Sequence, residues 1–447
     1  MALEEETEAL IAAEATALAL ESVPTDVIEA AVDCIIDALA VSIGASADET
    51  VGLAARVADA PGLCTRLNGG ALVAPRTAAF VNGIAAHVLD FDDWLPSAGL
   101  HPTAPLLPAV LAQAEASGHS SSLHGGRLLT AYIAGFEVQA RLGASVAPGH
   151  YQAGFHPTSS IGIFGAATGV AHLLGLEAGE IQHAWGLAAT QAAGLRAAFG
   201  TMGKSVQVGR AAEAGLLSAQ LSAAGITAPN AAFFGPRGFA ATHGQEASAN
   251  LARVPFAEKW YLREVLIKRH ASCFGTHAAI DALLALRDDV DLGAVREVEL
   301  VVPEILRTVC AISSVTTPLE GKFSLAFTAA LALVRGSCQV SDFTAGSVLD
   351  PLLKSVADRV RITFDTTLQP QQTMVRVLLT DGTAQHHSAD SLVLPTRHER
   401  RAIVRCKLHD LAGPLIGAER CGALLAAIEQ LPTGGAVSDV TSLLRTN

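Results

Sequence analysis

The chain of 447 residues carries a formal net charge of −13 and has no basic stripe, which argues against nucleic acid as a partner. Half of its residues are hydrophobic and 16% are charged, a composition that predicts closely packed helices around a core large enough to exclude water. The seven cysteines are scattered and form no Cys-x-x-Cys pair, so the sequence predicts neither a disulfide framework nor a cysteine-ligated metal site.

The N-terminus begins with an acidic run, Glu4 to Glu6, where a secretory signal peptide would carry positive charge. The most apolar run, residues 159–176, is short, contains several glycines and includes His172. It is therefore predicted to form a buried helix rather than a membrane span. A cytoplasmic protein with no membrane partner is the resulting expectation.

Helical patterns dominate the first 250 residues. The helix predicted after Pro24 has apolar residues at i, i+4 spacing up to Gly44, which can end it. Other predicted helices cover residues 8–20, 75–90, 104–117 and 127–143, two short segments within 177–198, and a segment that begins near Gly203.

The pattern changes near residue 250. Strands are predicted over 295–302, 360–364 and 374–379 and in a return strand that ends near Ser391, and Asp381-Gly382 signals a hairpin turn. An apolar helix is predicted over 324–334, and helices return from about Glu399. The predicted fold is mainly α: a large all-α domain formed by both chain ends (1–255 and 399–447) with an inserted smaller α+β domain (256–398).

One stretch concentrates acids and imidazoles in a chain that is otherwise poor in charge. Asp90, Asp92, Asp93 and His101 lie between two Ala-rich helices, and Pro96, Gly99 and Pro102 break any helix there. Burying acids costs free energy unless they are paired or used in chemistry. Two interpretations stay open: catalytic groups on a loop, or solvated acids beside a core histidine.

Three further groups could serve a binding cleft. His156 precedes a buried helix, Lys204 lies in the Gly-rich entry to an apolar helix, and Lys268 lies where the two predicted domains join. A helix N-terminus favours anions, and the missing Walker spacing favours a carboxylate over a nucleotide phosphate. The alternatives are a cap neighbour for His156, a solvated ammonium for Lys204 and a basic linker for Lys268.

These segments stand in a fixed order, followed by Gly321-Lys-Phe-Ser-Leu-Ala-Phe327, and together they resemble the MmgE/PrpD family. That family includes 2-methylcitrate dehydratase, cis-aconitate decarboxylase and iminodisuccinate epimerase. The resemblance runs from about Thr25 to Gly417 and implies the two-part fold, a homodimer, a small anionic carboxylate substrate, and no metal or other cofactor. It implies catalytic roles for Asp90, His101, His156 and Lys204 and substrate-binding roles for Lys268, Asp93, Gln207 and Thr201.

Two positions depart from the family pattern. Members often carry His where this chain has Gln207, and Tyr where it has Phe327. If that Tyr donates a proton in dehydration or decarboxylation, Phe327 cannot replace it. The departures therefore leave the reaction open.

The family's substrates need a proton to leave or join a carbon beside a carboxylate, which creates an unstable anion unless cations hold it. Lys204 and Lys268 are predicted to hold the carboxylate and His101 to move the proton, with Asp90 fixing the tautomer of His101. His156 is predicted to bind a second carboxylate or to protonate a leaving hydroxyl.

Three functions follow from this chemistry. The first is a cofactor-independent, 2-methylcitrate dehydratase-like lyase acting on a small hydroxylated di- or tricarboxylate. The second is an epimerase of an iminodisuccinate-like acid that uses the same base. The third is an inactive homodimer that binds a carboxylate.

Overall fold

The computed structural model describes residues 3–58, 60–67, 69–117, 123–243 and 247–445. The protein is mainly helical with a small region that contains a four-stranded sheet, which confirms the predicted fold class. Part of the polar turn predicted between the helices near 104–117 and 127–143 lies outside the described residues.

The N-terminal part is built from helices whose bounds agree with the apolar periodicity. They are α1 (Leu3–Ala17), α2 (Thr25–Gly44), α3 (Glu49–Val57), α4 (Pro75–Val88), α5 (Thr103–Ala116), α6 (Gly125–Val146), α7 (Gly149–Gln152), α8 (Pro157–Ser160), α9 (Gly162–Leu174), α10 (Ala178–Ala189), α11 (Gly203–Ala223), α12 (Phe239–His243) and α13 (Ala249–Ala252). A short strand, β1 (Pro61–Cys64), was not predicted, and it forms bridges with Val73.

The middle part contains the sheet. Its helices are α14 (His277–Leu286), α15 (Pro318–Gly321), α16 (Leu325–Arg335), α17 (Ala345–Leu349) and α18 (Pro351–Ala357), and its strands are β2 (Val295–Pro303), β3 (Val360–Asp365), β4 (Gln372–Leu379) and β5 (Ala384–Asp390).

The strand order is β3-β2-β4-β5, with β2 and β3 parallel and the other pairs antiparallel. Gly382 turns the β4–β5 hairpin at φ 90°, a conformation that glycine adopts without steric cost. The four strands of this sheet lie where the sequence predicted them, two from alternating patterns and the β4–β5 pair from its hairpin turn.

The chain then returns to helix in α19 (Arg397–Ile416), α20 (Ala418–Glu429) and α21 (Val437–Leu444), and α19 packs along α2. Lys407 of α19 is buried, forms an ion pair of 2.5 Å with Asp37 of α2, and donates to the Phe91 carbonyl at 2.6 Å. The C-terminal helix therefore reaches the loop that carries the predicted catalytic acids.

Two hydrophobic cores lie side by side. One is formed by helices between residues 11 and 267 together with residues 404–444, and the other joins the sheet region to buried side chains of α2, α3 and α4. The exact domain boundaries, near 256 and 398, stay a prediction. Within the described ranges, no helix combines the length and hydropathy that a membrane span requires.

Helices α4 and α11 cross closely because glycines face each other at the contact. A Cβ on Gly209 would lie 2.4 Å from the Phe80 carbonyl oxygen, and one on Gly83 would lie 3.0 Å from the Gly209 Cα atom. This close approach sets α11, which carries Lys204, against α4, which carries His87.

We expect Gly209→Ala to lower the free energy of unfolding by about 1–3 kcal/mol, because the new methyl group meets a backbone oxygen that cannot rotate away. Gly52→Ala is the matched control: no atom lies within 4 Å of its Cβ position in α3, so it should gain ~0.5–1 kcal/mol. Urea denaturation of the parent and both variants measures these changes. Equal stability of Gly209→Ala and parent would contradict the tight crossing.

Candidate active site

The loop after α4 begins with an unusual backbone conformation at Asp90. Asp90 has φ 51°, and it is the non-glycine residue with positive φ among the described ranges. Such a conformation costs roughly 1–3 kcal/mol and persists where the surroundings fix it. Lys268 fixes it here, because its Nζ donates both to the Asp90 carbonyl at 3.0 Å and to Asp90 Oδ1 at 2.5 Å.

Strand-like pairing brings Lys268 to this loop from a distant part of the chain. Trp94 and Leu266 exchange two backbone hydrogen bonds of 2.8 Å, which places the 266–268 segment beside the loop. The third N–H of Lys268 donates to the Ser272 carbonyl at 3.0 Å. All three donors of Lys268 are thus used within the protein.

Lys204 approaches Asp90 from the other side. Its Nζ lies 3.4 Å from Asp90 Oδ2 and 2.8 Å from His87 Nε2, which accepts a hydrogen bond from the ammonium. The hydrogen bond to His87 and the ion-pair contact with Asp90 leave Lys204 with donor capacity for a ligand.

Asp92 lies between two imidazoles. Its Oδ2 is 2.7 Å from His87 Nδ1 and 3.2 Å from His101 Nδ1, and the second contact is the less well aligned of the two. Because the Nε2 atom of His87 accepts from Lys204, its Nδ1 carries the proton donated to Asp92. His101 presents Nδ1 to Asp92 and so has Nε2 left for the cavity that it lines.

His156 has its tautomer set by Gln207. The Gln207 amide is oriented by Leu195, whose N–H donates to Oε1 at 2.9 Å and whose carbonyl accepts from Nε2 at 3.2 Å. That orientation points the amide Nε2 at His156 Nδ1, 2.7 Å away, so Nδ1 is an acceptor and the ring proton lies on Nε2. Gln207 is the position where family members often carry His.

Burial controls the protonation of these groups. Burial lowers the pKa of His87 to about 4 and also lowers the pKa of His101 below 6.5 and that of His156 well below it. Burial alone would raise the pKa of Asp90, but Lys204 and Lys268 outweigh it and hold that pKa well below its usual range. The site therefore combines an ionised carboxylate with three neutral imidazoles at neutral pH.

A cavity of about 560 Å³ opens between the helical part and the sheet region, and its wall includes Asp90, His101, His156 and Lys204. The structure thus brings together the four residues predicted to be catalytic, although up to 114 positions separate them in sequence. The four residues predicted to bind substrate lie outside this wall.

Each of those four has another environment. Lys268 positions Asp90, and Gln207 lies behind His156. Thr201 donates to the Ala198 carbonyl at 2.7 Å and lines a small pocket beside Lys204. Asp93 is buried against Thr103, whose Oγ1 lies 2.5 Å from its Oδ2. The predicted direct contacts of these residues with substrate are not supported by their places in the fold.

The role of orienting His101 belongs to a different carboxylate from the one predicted. Asp90 was expected to orient His101, but Asp92 is the carboxylate at His101 Nδ1, and Asp90 is held by two lysines instead. The reason is the left-handed turn at Asp90, which directs the side chain to Lys268. His87 and Lys322 were missed as site residues, and Asp92 was noted in the loop but was given no role of its own. Lys322 is buried beside the loop and donates to the Leu89 and Ala271 carbonyls at 2.7 Å.

Phe327 lies away from the cavity. It is 5% exposed and packs against Phe343, with ring centroids 6.2 Å apart, and it does not appear in the cavity wall. The replacement of the family's Tyr by Phe therefore removes no group from this wall.

Among the described residues, His87, Asp92 and His101 are spaced closely enough to hold a metal ion, with ligand atoms within 4.8 Å of one another. Both ring nitrogens of His87 are already engaged, one by Asp92 and one by the Lys204 ammonium. An adjacent ammonium disfavours a second cation. We therefore assign this cluster to proton positioning.

Two family models match long segments of the chain: the MmgE/PrpD N-terminal domain over residues 9–252 and the MmgE/PrpD C-terminal domain over residues 270–431. The chain belongs to the MmgE/PrpD family. The order of motifs in the sequence had indicated the same family.

Its relatives in the MmgE/PrpD family include human cis-aconitate decarboxylase, 28% identical over an alignment that spans 65% of this chain and 62% of the human protein. Mouse cis-aconitate decarboxylase is 27% identical, with 83% of this chain and 78% of the mouse protein aligned. The cis-aconitate decarboxylase-like protein oryM of Aspergillus oryzae is 27% identical, with 96% and 95% aligned. The chain thus spans less than two thirds of the human relative.

The first site prediction concerns Asp93. Burial raises the pKa of Asp93 from 3.8 to about 8, so the native protein holds a proton there that the unfolded chain releases. Stability from this group is complete below pH 3.8 and is lost as pH rises to about 8, by at most ~1.4 kcal/mol per pH unit. Asp93→Asn should remove this part of the pH dependence.

Urea denaturation between pH 5 and 8.5 measures the Asp93 effect, with the exposed acid Asp410→Asn as the control that keeps the parental slope. An Asp93→Asn slope equal to the parental slope would show that Asp93 is ionised in the folded protein.

The second site prediction concerns Gln207. Gln207→Glu should reverse the tautomer of His156, because a carboxylate accepts a proton from Nδ1 where the amide donates one. Gln207→Leu should leave a mixture. Nitrogen-15 NMR of histidine-labelled protein reports which ring nitrogen carries the proton. An Nδ1–H tautomer in the parent would contradict the assignment.

Proposed function

We propose that the protein is a cofactor-independent lyase that removes a proton next to a carboxylate and expels water from a hydroxylated di- or tricarboxylic acid. One observation carries this proposal. Two neutral imidazoles, His101 and His156, and the ammonium of Lys204 line the same cavity, and both imidazole rings lie within 5.5 Å of His87, which accepts from Lys204. The relatives named cis-aconitate decarboxylase support the lyase class, because decarboxylases are lyases.

Lys204 is the group that holds the substrate carboxylate. Lys204 lines the cavity together with Asp90, His101 and His156. When a proton leaves the carbon beside that carboxylate, negative charge develops on the carboxylate oxygens. A fixed ammonium in a water-poor site stabilises this charge without reorganisation.

His101 is the base. Its lowered pKa keeps it neutral at pH 7, and its Nε2 faces the cavity. When it takes the proton, the positive imidazolium lies beside the ionised Asp92. Asp92 thus stabilises the imidazolium, a role that was predicted for Asp90.

His156 acts as a hydrogen-bond donor rather than as a proton source. Its pKa lies well below 6.5, so at neutral pH it has a single ring proton, on Nε2, which can bind a substrate oxygen. The proton that the leaving hydroxyl needs is then the proton that His101 has taken from carbon. His101 thus serves as both base and acid in the elimination, which releases water and leaves an unsaturated acid.

We expect His101→Asn to lower kcat by ~10²-fold or more, since general bases contribute ~10²–10⁴-fold. In the parent, kcat/KM should fall as pH drops and His101 becomes protonated, with a midpoint below pH 6.5 because burial lowers its pKa. His101→Asn should lose this acid limb. Near-parental turnover of the folded variant would remove His101 from the chemistry.

Proton NMR in deuterated water with a panel of hydroxy and imino acids tests the reaction class. New alkene signals with loss of water support the proposal, and release of carbon dioxide would instead assign a decarboxylase. Solvent exchange of a C–H proton without alkene would assign an epimerase. Saturable binding without any of these would assign an inactive carboxylate-binding protein.

A further inference from the structure

The cavity extends well beyond the four polar residues at its end. Next to His101 lies Trp94, with the two ring centroids 5.1 Å apart. The Phe274 ring stacks on Trp94, with ring centroids 5.8 Å apart. The same wall is completed by Ile161, Leu306 and Val309. We call the part of the cavity lined by Ile161, Trp94, Phe274, Leu306 and Val309 the apolar arm.

The apolar arm is formed by both parts of the molecule. Trp94 and Ile161 belong to the helical part, whereas Phe274, Leu306 and Val309 belong to the region that contains the sheet. Ile161, Leu306 and Val309 are buried although they line the cavity, whereas Trp94 and Phe274 are partly exposed, so the arm is a deep cleft with an open side.

The volume exceeds what a small polycarboxylate fills. At about 560 Å³, the cavity falls within the range of roughly 300–1,000 Å³ that encloses drug-sized ligands. An acid of the size of cis-aconitate bound at Lys204 would leave the arm empty. Binding becomes more favourable when apolar ligand surface replaces water against an apolar wall of this extent.

The few charged groups of the cavity wall also favour a ligand with few carboxylates. Among the described residues of the cavity wall, Lys204 is the one lysine or arginine, and Asp90 beside it is ionised. Lys268 and Lys322 lie behind the wall and donate to Asp90 and to backbone carbonyls. A third carboxylate placed in the apolar arm would have no lysine or arginine of the described wall to pair with, and an unpaired charge there costs several kcal/mol.

We propose that the substrate is a hydroxylated acid with no more than two carboxylates and with an alkyl or aryl substituent of several carbons, which lies in the apolar arm. The inference rests on the proposed function, because it places a reacting carboxylate at Lys204. Trp94 then contacts the first carbons of the substituent next to His101, and Leu306 and Val309 contact its far end.

A series of 3-alkylmalates, with substituents from methyl to hexyl, tests the inference alongside malate and citrate. His101 can take the C3 proton, and loss of the C2 hydroxyl as water leaves an alkyl-substituted unsaturated diacid. We expect kcat/KM to rise by about fourfold for each methylene until the arm is full. Equal or falling values along the series, or a preference for citrate, would overturn the inference and leave the lyase assignment intact.

Binding without chemistry separates the two proposals. Calorimetry with hexylsuccinate and succinate, neither of which can lose water, should show tighter binding of hexylsuccinate by at least tenfold. If that preference holds while no acid is turned over, the apolar arm stands and the lyase assignment fails. Equal affinities would overturn the apolar arm whatever the turnover.

A variant locates the substituent. Val309→Asp places a charge in the arm and should lower the ratio of kcat/KM for the hexyl over the methyl compound by at least tenfold. Leu349→Asp is the control, because Leu349 is 68% exposed in the same region and does not line the cavity. It should keep the parental ratio. If Val309→Asp fails to fold, Val309→Thr, which has the same shape, should lower the ratio in the same direction, and a parental ratio there would overturn the inference.

Discussion

The buried carboxylate of Asp90 is the constraint on which the site depends. An ionised acid away from water is costly unless cations and hydrogen bonds surround it. Lys268 meets this requirement with three bonds to the loop and to Ser272, and Lys204 meets it from α11. Because Lys268 comes from the junction and Lys204 from the helical part, satisfying one charge fixes the relative positions of loop, helix and junction. The left-handed conformation of Asp90 is tolerated because these bonds determine it.

The same lysines determine the state of the imidazoles. Positive charge near Asp90 adds to burial in lowering the pKa of His101 and His156, so both stay neutral at pH 7. Neutral rings need fixed tautomers to be useful, and two different devices supply them. Asp92 holds Nδ1 of His101 with a negative charge, whereas Gln207 holds Nδ1 of His156 with a neutral donor. One ring is thereby prepared to gain a proton, and the other to donate a hydrogen bond.

The sequence predicts most of the helices and strands and the four polar residues of the cavity wall. The contacts that it does not predict were hidden for physical reasons. The periodicity in α2, β2 and β3 and the Asp-Gly turn between β4 and β5 predicted these elements, because local pattern decides them. Asp90, His101, His156 and Lys204 could be selected because polar groups in a chain poor in charge stand out. The backbone turn at Asp90 decides which carboxylate faces which imidazole. The sequence Asp-Phe-Asp-Asp does not indicate a positive φ at its first residue. His87 and Lys322 were passed over because each lies in an apolar context that also fits a core residue or a solvated lysine.

The division of the cavity follows from the way the chain uses its few charges. The buried lysines behind the wall are matched to a carboxylate or to carbonyl oxygens, and Lys204 is the lysine that lines the cavity. The two hydrophobic cores supply part of the remaining wall, since Ile161 belongs to one core and Leu306 and Val309 belong to the other. A site assembled in this way is polar at one end because the fold needs those charges paired, and apolar along its length because the cores meet there. Selectivity for the part of the substrate that does not react therefore depends on shape and apolar area, while the reacting end depends on charge.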